Sequence, residues 1–566
     1  MPAPDNVLGI DFVISRGLEP TLVNHTGFWR FLTPVREEKP APCRQDCPLG
    51  NGIPHWMQKL QEEDWSGAWN VMERYNPFPA LTGYACYGYC QENCNRSFYD
   101  EGLDIRELEK AIGLWKLEQG KAGKIQFRPF EGIQPGVQGA AKSVAVIGSG
   151  PTGLSAAYYL NRLGVNVQVF EKLPAAGGLL ATGIPPERLP REILQQELGL
   201  LQQAGVSFVT GIEVAAGDNL KMLTDSFDAV LLTVGAQKRR FLGIPGERLP
   251  GVYNALDFLR NLYLDGERGL IQNKGRVLVI GGGNAALDAA SALRRQGAAD
   301  VWVVYRRGRE ALLAHESEIR AAEAAGVRFL FHTRPLSLYG ESALEGVRVI
   351  KTRPSRREEE LHDLTGSDYT LSCTAVVLAA GSESGLNDLF PQNLPPMQPG
   401  VEENLFQILE LPAVCPERGS LCLAAGDAVT GPQNIALAIA GGRLAARHLL
   451  ERFYGKGYGH DFFGKDEAQI LKAPPVSYEQ LAPHYYPHRG RSDVPREEAA
   501  RCFSCGLCSH CGICWFFCPD VAVEKESGEY EILLDYCKGC GICAAECPAG
   551  VLEMKELKSD ADAVER

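Results

Sequence analysis

Thiols at fixed spacing are the most chemically loaded feature of this sequence. Cys508, Cys511, Cys514 and Cys518-Pro519 form one run, and Cys537, Cys540, Cys543 and Cys547-Pro548 repeat its spacing. In such a doubled run, three cysteines of one copy and the last cysteine of the other enclose each four-iron four-sulfur cube. The expected ligand sets are Cys508, Cys511, Cys514 and Cys547 for one cube, and Cys537, Cys540, Cys543 and Cys518 for the other. A zinc ribbon needs two cysteine pairs and has no use for this order. Cys43, Cys47-Pro48, Cys86, Cys90 and Cys94 come from two segments flanking a helical stretch. Close thiolates of that kind can wrap a further cube, with a zinc site as the alternative.

Glycine-rich turns supply a second chemistry. The apolar run Ser143–Ile147 delivers Gly148-Ser149-Gly150-Pro151-Thr152-Gly153 into a helical pattern that continues through Leu160. A strand, a glycine turn and a helix N-terminus together offer backbone N–H groups and a dipole to a pyrophosphate. A second strand, Val165–Phe170, ends at Glu171-Lys172, where the carboxylate can accept from a ribose hydroxyl. The pattern recurs where Val277–Ile280 enters Gly281-Gly282-Gly283-Asn284-Ala285-Ala286. Here the second strand, Val301–Tyr305, ends in Arg306-Arg307, and arginines at that position can pair with a ribose 2′-phosphate, favouring NADPH over NADH. The alternative is two solvated arginines at a strand end. Farther on, Leu421–Ala425 ends in Gly426-Asp427, ahead of an apolar-periodic helix from Asn434 to Leu449. An aspartate so placed can hold the ribityl hydroxyls of a flavin.

These sites need a frame to position them. The 566 residues imply roughly two to four domains. The 45% hydrophobic and 22% charged residues are those of an ordinary soluble protein. No apolar run reaches the length of a membrane span, and the first residues lack the basic and apolar regions of a signal peptide, so a cytoplasmic protein is expected. The net charge of −13 argues against a nucleic-acid partner. In a reducing compartment the 18 cysteines read as metal ligands rather than disulfides. Cys373, Cys415 and Cys422, scattered between the two rich regions, are expected to be small core hydrophobes.

The motif order predicts an α/β flavoprotein with two dinucleotide-binding domains, the NAD(P) domain inserted in the FAD domain with crossings near Gly235 and Gly381. A helical iron–sulfur domain precedes it and an α+β two-cluster ferredoxin-like domain follows. The expected spans are an arm over 1–40, the helical iron–sulfur domain over 41–140, the FAD domain over 141–240 and 373–453, the NAD(P)H domain over 241–372, a linker over 454–500 and the ferredoxin domain over 501–566. The arm carries no readable chemistry. The linker is rich in Pro, Tyr, His and Gly without a period and reads as surface chain.

This arrangement resembles the family of the NADPH-dependent glutamate synthase small subunit, whose relatives include electron-bifurcating NADH-dependent ferredoxin:NADP oxidoreductases and the N-terminal half of dihydropyrimidine dehydrogenase. The resemblance covers about residues 40 to 450 and runs through Cys43, Cys47-Pro48, Thr82-Gly83, Cys86, Cys90, Cys94-Asn95-Arg96, both glycine loops, Gly177-Gly178-Leu179, Gly183-Ile184-Pro185 and Gly426-Asp427. It implies FAD on the first loop, with Gly178, Leu179, Gly235 and Asn434 around it, and NAD(P)H on the second, with Gly381. Relatives with two N-terminal clusters carry a further Cys-x-x-Cys before the position of Cys43, where this chain has Val35-Arg36-Glu37-Glu38. A matching fragment, Cys502-Phe503-Ser504-Cys505, stands instead just ahead of the ferredoxin runs. In one reading Cys502 and Cys505 fold back to join Cys43 and Cys94 in a cube, leaving Cys47, Cys86 and Cys90 with Glu109 as a non-cysteine ligand of another. In the other, the N-terminal cysteines hold one cube and Cys502 and Cys505 are idle.

The expected function is that of an NAD(P)H:acceptor oxidoreductase. Nicotinamide moves two electrons and a cube moves one, so FAD must stand between them, and three or four cubes would carry electrons to ferredoxin or a larger redox enzyme. No side chain need act as nucleophile or base. A subunit of a hetero-oligomer is expected, with flow in either direction. Alternatives are the flavoprotein that accompanies dissimilatory sulfite reductase, the glutamate synthase small subunit, to which the ferredoxin tail is foreign, and, from another class, a redox sensor or scaffold without turnover.

Overall fold

The computed structural model describes residues 26–125, 141–215, 218–264, 275–354, 361–386, 408–411, 420–463 and 473–556. Cys415 lies outside them. The chain divides into two compact units: one gathers the described residues up to Gly83, Gly88–Lys116 and those from His460 onward, and the other holds Tyr84–Tyr87 and Leu117–Gly459.

The larger unit is built on two parallel sheets. In the first, the strands run in the order Ile408–Glu410, Leu421–Ala425, Ala229–Leu232, Ser143–Ile147, Asn166–Glu171 and Ser207–Thr210, parallel except for the first, edge strand. The second orders Arg328–Leu330, Asp300–Val304, Arg276–Ile280, Ala375–Leu378 and Val252–Asn254, all parallel. Both central strands are continuous apolar runs, Val144 to Ile147 and Val277 to Ile280, because helices cover both faces of a parallel sheet. Leu421–Ala425 comes after the whole second sheet in sequence yet pairs with Ala229–Leu232 of the first. The second domain is therefore an insertion in the first. The two crossings meet: Lys238–Arg239 pairs antiparallel with Ser382–Glu383, just after Gly235 and Gly381. Cys422 and Cys373 are buried in the apolar clusters of the two domains.

In the smaller unit, the one-turn helices Pro42–Gln45 and Tyr89–Glu92 carry Cys43 and Cys90, and longer helices lie between them in sequence. Ile53–Gln61 starts with Pro54 in its first turn, where the missing N–H costs nothing. Trp65–Met72 is capped by Asp64, whose carboxylate accepts from Gly67 N. The ferredoxin runs form the short helices Ile513–Phe516 and Ile542–Ala545, a hairpin of Val523–Glu526 with Glu529–Ile532, and the strand Leu552–Glu556. That last strand pairs antiparallel with Leu32–Arg36. The arm is thus a strap on the ferredoxin region: Gly27 N donates to Asp535 O at 2.7 Å, and Thr26 Oγ1 to Tyr536 O at 2.8 Å. The segment read as surface linker also buries side chains, among them Phe462, Val476 and Tyr486.

Candidate functional site

The first glycine loop is shaped around a ligand. Gly148 N donates to Phe170 O at 2.8 Å, and Gly148 takes φ +105°, which only glycine adopts freely at this turn. Gly150 stands at the N-terminus of the helix Pro151–Arg162, and a Cβ there would meet no protein atom within 4 Å. The open side is where a pyrophosphate would lie against the helix end. Gly153 serves packing, since its Cβ would fall 2.0 Å from Gly148 O. Glu171 is buried and accepts from Ser149 N at 3.0 Å and Ser149 Oγ at 2.6 Å with one oxygen, and from Leu173 N with the other. A carboxylate offers about four acceptor sites, so this bracing leaves capacity for a ribose hydroxyl.

Asp427 opens a short helix after the strand Leu421–Ala425, and its Oδ1 is buried without a hydrogen-bond partner in the protein. Burial pushes its carboxyl up to about 6, against one backbone donor at Gln433. An orphaned buried carboxylate oxygen is costly. The hydroxyls of a flavin's ribityl chain would satisfy it, so the residues present fit FAD. Gly426 and Gly442 bring this element and the helix Ile435–Tyr454 against Thr152, where any side chain would clash. Asn434 caps that helix by accepting from Leu437 N at 2.9 Å. Gly178 abuts Gly150, Leu179 is half-buried and Lys172 exposed.

The second loop is similar in design. Gly281 N donates to Val304 O, a Cβ on Gly282 would fall 2.4 Å from the Tyr305 ring, and one on Gly283 would meet nothing within 4 Å. Asn284 accepts from His315 N at 3.1 Å; Ala285 follows at the start of the helix Asn284–Arg295, in which Ala286 is fully buried. Arg306 is exposed and Arg307 half-buried at the end of Asp300–Val304, with Arg307 Nε buried and unpartnered. Arg309, by contrast, is spent on Glu316 at 2.9 Å and Glu323 at 3.5 Å. Arg306 and Arg307, unlike Arg309, make no ion pair among the described residues.

The thiols converge in three groups. Cys518, Cys537, Cys540 and Cys543 line one cavity together with Pro34 of the strap and Met554. Cys514 lies among Cys511, Cys508 and Cys547, and burial pushes its thiol up to about 11. Cys43, Cys94, Cys502 and Cys505 are all buried. Burial pushes the Cys43 thiol well up, and its neighbours Cys94, Cys502, Cys505 and, least, Cys90 add to the effect. Cys502 is raised to about 12 by the same cause. Thiols so placed become thiolates at neutral pH when a metal cluster supplies positive charge. Among the described residues no group of three or more His, Cys, Asp or Glu side chains closes tightly enough for a single metal ion. A cube spaces its thiolates more widely than one zinc ion does.

Cys47 and Cys90 belong to the smaller unit and Cys86 to the larger. Glu109 is buried near the start of the helix Ile105–Lys121, where its Oε1 accepts from Asn76 Nδ2 at 2.5 Å and Thr82 Oγ1 at 2.8 Å. Burial pushes its carboxyl up to about 7.

Several residues around the thiols carried no signal of their own. Asn95 Nδ2 reaches Cys505 Sγ at 3.5 Å, and Arg96 Nη1 donates to Arg501 O at 3.0 Å. Their place in Cys94-Asn95-Arg96 was the one hint available. Burial would raise the Asp100 carboxyl, but Arg96 and the backbone donors at Arg489 and Glu101 outweigh it and hold it well below the usual carboxylate range. Tyr486 is buried near Cys502, Cys505, Cys511 and Cys547.

Residues 142–395 match the pyridine nucleotide-disulphide oxidoreductase family, residues 37–121 the dihydropyrimidine dehydrogenase domain II, 4Fe-4S cluster family, and residues 530–553 the 4Fe-4S binding domain family. The chain is 31% identical over 431 residues to the glutamate synthase [NADPH] small chain of Halomonas elongata, covering 72% of this chain and 87% of that protein. It is 32% identical over 373 residues to the NADP(+)-dependent formate dehydrogenase subunit beta of Moorella thermoacetica, covering 62% of this chain and 52% of the relative. With the NADPH-Fe(3+) oxidoreductase subunit beta of Geobacter sulfurreducens the identity is 28% over 449 residues, 74% of this chain and 64% of the relative. The chain therefore spans between half and two thirds of the length of these last two relatives.

Proposed function

The chain belongs to the family of the NADPH-dependent glutamate synthase small chain, and from that premise we propose that it is the NADPH-handling subunit of a larger redox enzyme, passing electrons from NADPH through FAD and 4Fe-4S clusters to an acceptor held by its partner. One observation carries the reading: two nucleotide-binding sheets, one inserted in the other, share a chain with three convergent sets of four cysteines. Similarity to proteins named as subunits supports a hetero-oligomer. No helix among the described residues is long and apolar enough to cross a membrane.

The protein's own residues bind and orient. Backbone N–H groups at Gly150 and Gly283, each at the mouth of a helix, hold the two pyrophosphates and bring their dinucleotides to neighbouring sheets. Asp427 fixes the flavin's polar chain, and Arg306 with Arg307 selects the phosphorylated nicotinamide nucleotide. FAD, when bound, supplies the conversion between two-electron hydride chemistry and one-electron transfer. The differing burial of the cysteines, from buried Cys43, Cys94, Cys502 and Cys505 to exposed Cys540, would help set the potentials of the clusters they hold.

The test is anaerobic stopped-flow reduction of the purified chain by NADPH and by NADH, following flavin and cluster absorbance together. The expected result is flavin bleaching, then cluster bleaching, with NADPH the faster reductant. Flavin reduction without any cluster reduction, with viologen acceptors also left oxidised, would overturn the reading in favour of a sensor or scaffold.

A further inference from the structure

Cys502 and Cys505 lie outside both stretches that match iron–sulfur families, residues 37–121 and 530–553. They are nevertheless as buried as Cys43 and Cys94, at 7 to 9% exposure for all four. The segments that carry them are sewn together on both sides. After Cys94, Asn95 Nδ2 donates to Val476 O at 2.9 Å and lies 3.5 Å from Cys505 Sγ, while Arg96 Nη1 donates to Arg501 O at 3.0 Å. Ahead of Cys43, Lys39 N donates to Gly506 O at 3.0 Å.

The local turn is that of a cluster ligand pair. In Cys502-Phe503-Ser504-Cys505, the amide of Ser504 points at Cys502 Sγ at 3.4 Å, and Ser504 has φ +52°. In Cys537-Lys538-Gly539-Cys540, the amide of Gly539 points at Cys537 Sγ at 3.4 Å, and Gly539 has φ +72°. A serine held in the left-handed region carries a steric cost that glycine escapes. That cost fits a turn constrained by what its two sulfurs must hold.

We propose that Cys43, Cys94, Cys502 and Cys505 together ligate one 4Fe-4S cube, built jointly by segments from the two ends of the sequence. The four thiols are buried neighbours, and a cube takes one thiolate at each of its four irons. Tyr486, buried near thiols of both this set and the Cys508, Cys511, Cys514 and Cys547 set, donates its hydroxyl to Phe503 O at 3.1 Å. The cube is the next station inward from the ferredoxin region. That relay role rests on the electron-transfer reading above; the ligation does not.

The experiment is metal and sulfide analysis of the full chain, purified anaerobically, beside Cys502→Ser/Cys505→Ser, Cys43→Ser/Cys94→Ser and the quadruple variant. Each double variant is expected to lose one cube, about four irons per chain, and the quadruple to lose no more than either. Unchanged iron in the first double variant, additive losses in the quadruple, or loss of zinc in place of iron would each overturn the proposal. EPR signals of the two ferredoxin-region cubes are the fold check. Should the double variants fail it, the single Cys505→Ser keeps an oxygen ligand and is expected to alter the EPR signal of one cube only. A spectrum identical to wild type would overturn the assignment, and NADPH oxidation is needed for none of these readouts.

Discussion

The side-chain amide of Asn95 lies 3.5 Å from the sulfur of Cys505, although 410 residues separate them in sequence. An N–H aimed at a cluster sulfur favours the reduced, more negative cube and raises its potential. Asn95→Ala is expected to lower the potential of that cube by about 20–60 mV, a hydrogen bond's ~0.5–1.5 kcal/mol expressed for one electron. An EPR-monitored redox titration reads this directly, with the ferredoxin-region cubes unmoved as the internal standard.

Gly150 and Gly283 face open space, so the protein itself should accept a methyl group at either while a pyrophosphate should not. Gly150→Ala is expected to weaken flavin binding about 5- to 150-fold, the ~1–3 kcal/mol of an overpacked contact, with little change in the melting temperature of the flavin-free protein. Gly283→Ala should do the same to NADPH. Gly153→Ala, whose Cβ would strike Gly148 O, should instead destabilise the fold. Flavin content and thermal melting, measured on the same samples, separate the two effects.

Arg306 and Arg307 end a strand without the carboxylates that occupy Arg309. Replacing both by Ala should raise KM for NADPH about 10- to 150-fold, the ~1.5–3 kcal/mol of charge-assisted hydrogen bonds, and leave NADH nearly untouched. Steady-state viologen reduction with each nucleotide checks it. Equal losses would return the pair to the solvated strand end.

Asp288 makes a pH-dependent contribution to stability. Burial pushes its carboxyl up to about 7; Arg188 opposes from 3.8 Å but lies nearer Glu318, at 3.3 Å. An unfolded aspartate titrates near 3.9, about three pH units lower, so the native state holds the proton more tightly. The resulting stability is fully present below about pH 4 and is lost as pH rises through about 7. Relative to Asp288→Asn, the wild type should lose up to about 4 kcal/mol between pH 4 and 8, seen as a widening gap in melting temperature.

What could be read from the sequence was local in sequence. Gly148 to Gly153, Gly281 to Ala286 and the two doubled cysteine runs each carry their whole motif within a few residues, and the insertion of one nucleotide domain in the other followed from their order. Tyr486 and Arg30 could not be read, because their meaning comes from distant partners. Arg30 Nη1 donates to Leu534 O, and no pattern near Arg30 announces that contact. The segment around Tyr486 is built of the short turns Tyr478–Gln480 and Pro483–Tyr485, too brief to leave a helical or strand period. Residues such as Glu171, Asp427 and Arg307 were legible by position, but their bracing, orphaned oxygen and buried Nε were not.

The pairing of Leu32–Arg36 with Leu552–Glu556 also sets a schedule for synthesis. Lys555 reaches back 518 residues to Glu37. At ~5–20 residues per second, a ribosome needs about half a minute to two minutes to bring the second partner out after the first. Throughout that interval the strap has no edge to pair with, and under the proposed ligation Cys43 and Cys94 wait for the last eighth of the chain. Nucleotide-binding domains can form as they emerge, whereas the smaller unit can close only once Leu552–Glu556 has emerged. Cluster loading there is a late event, and a nascent chain stalled before Cys502 would carry its first cysteines unguarded.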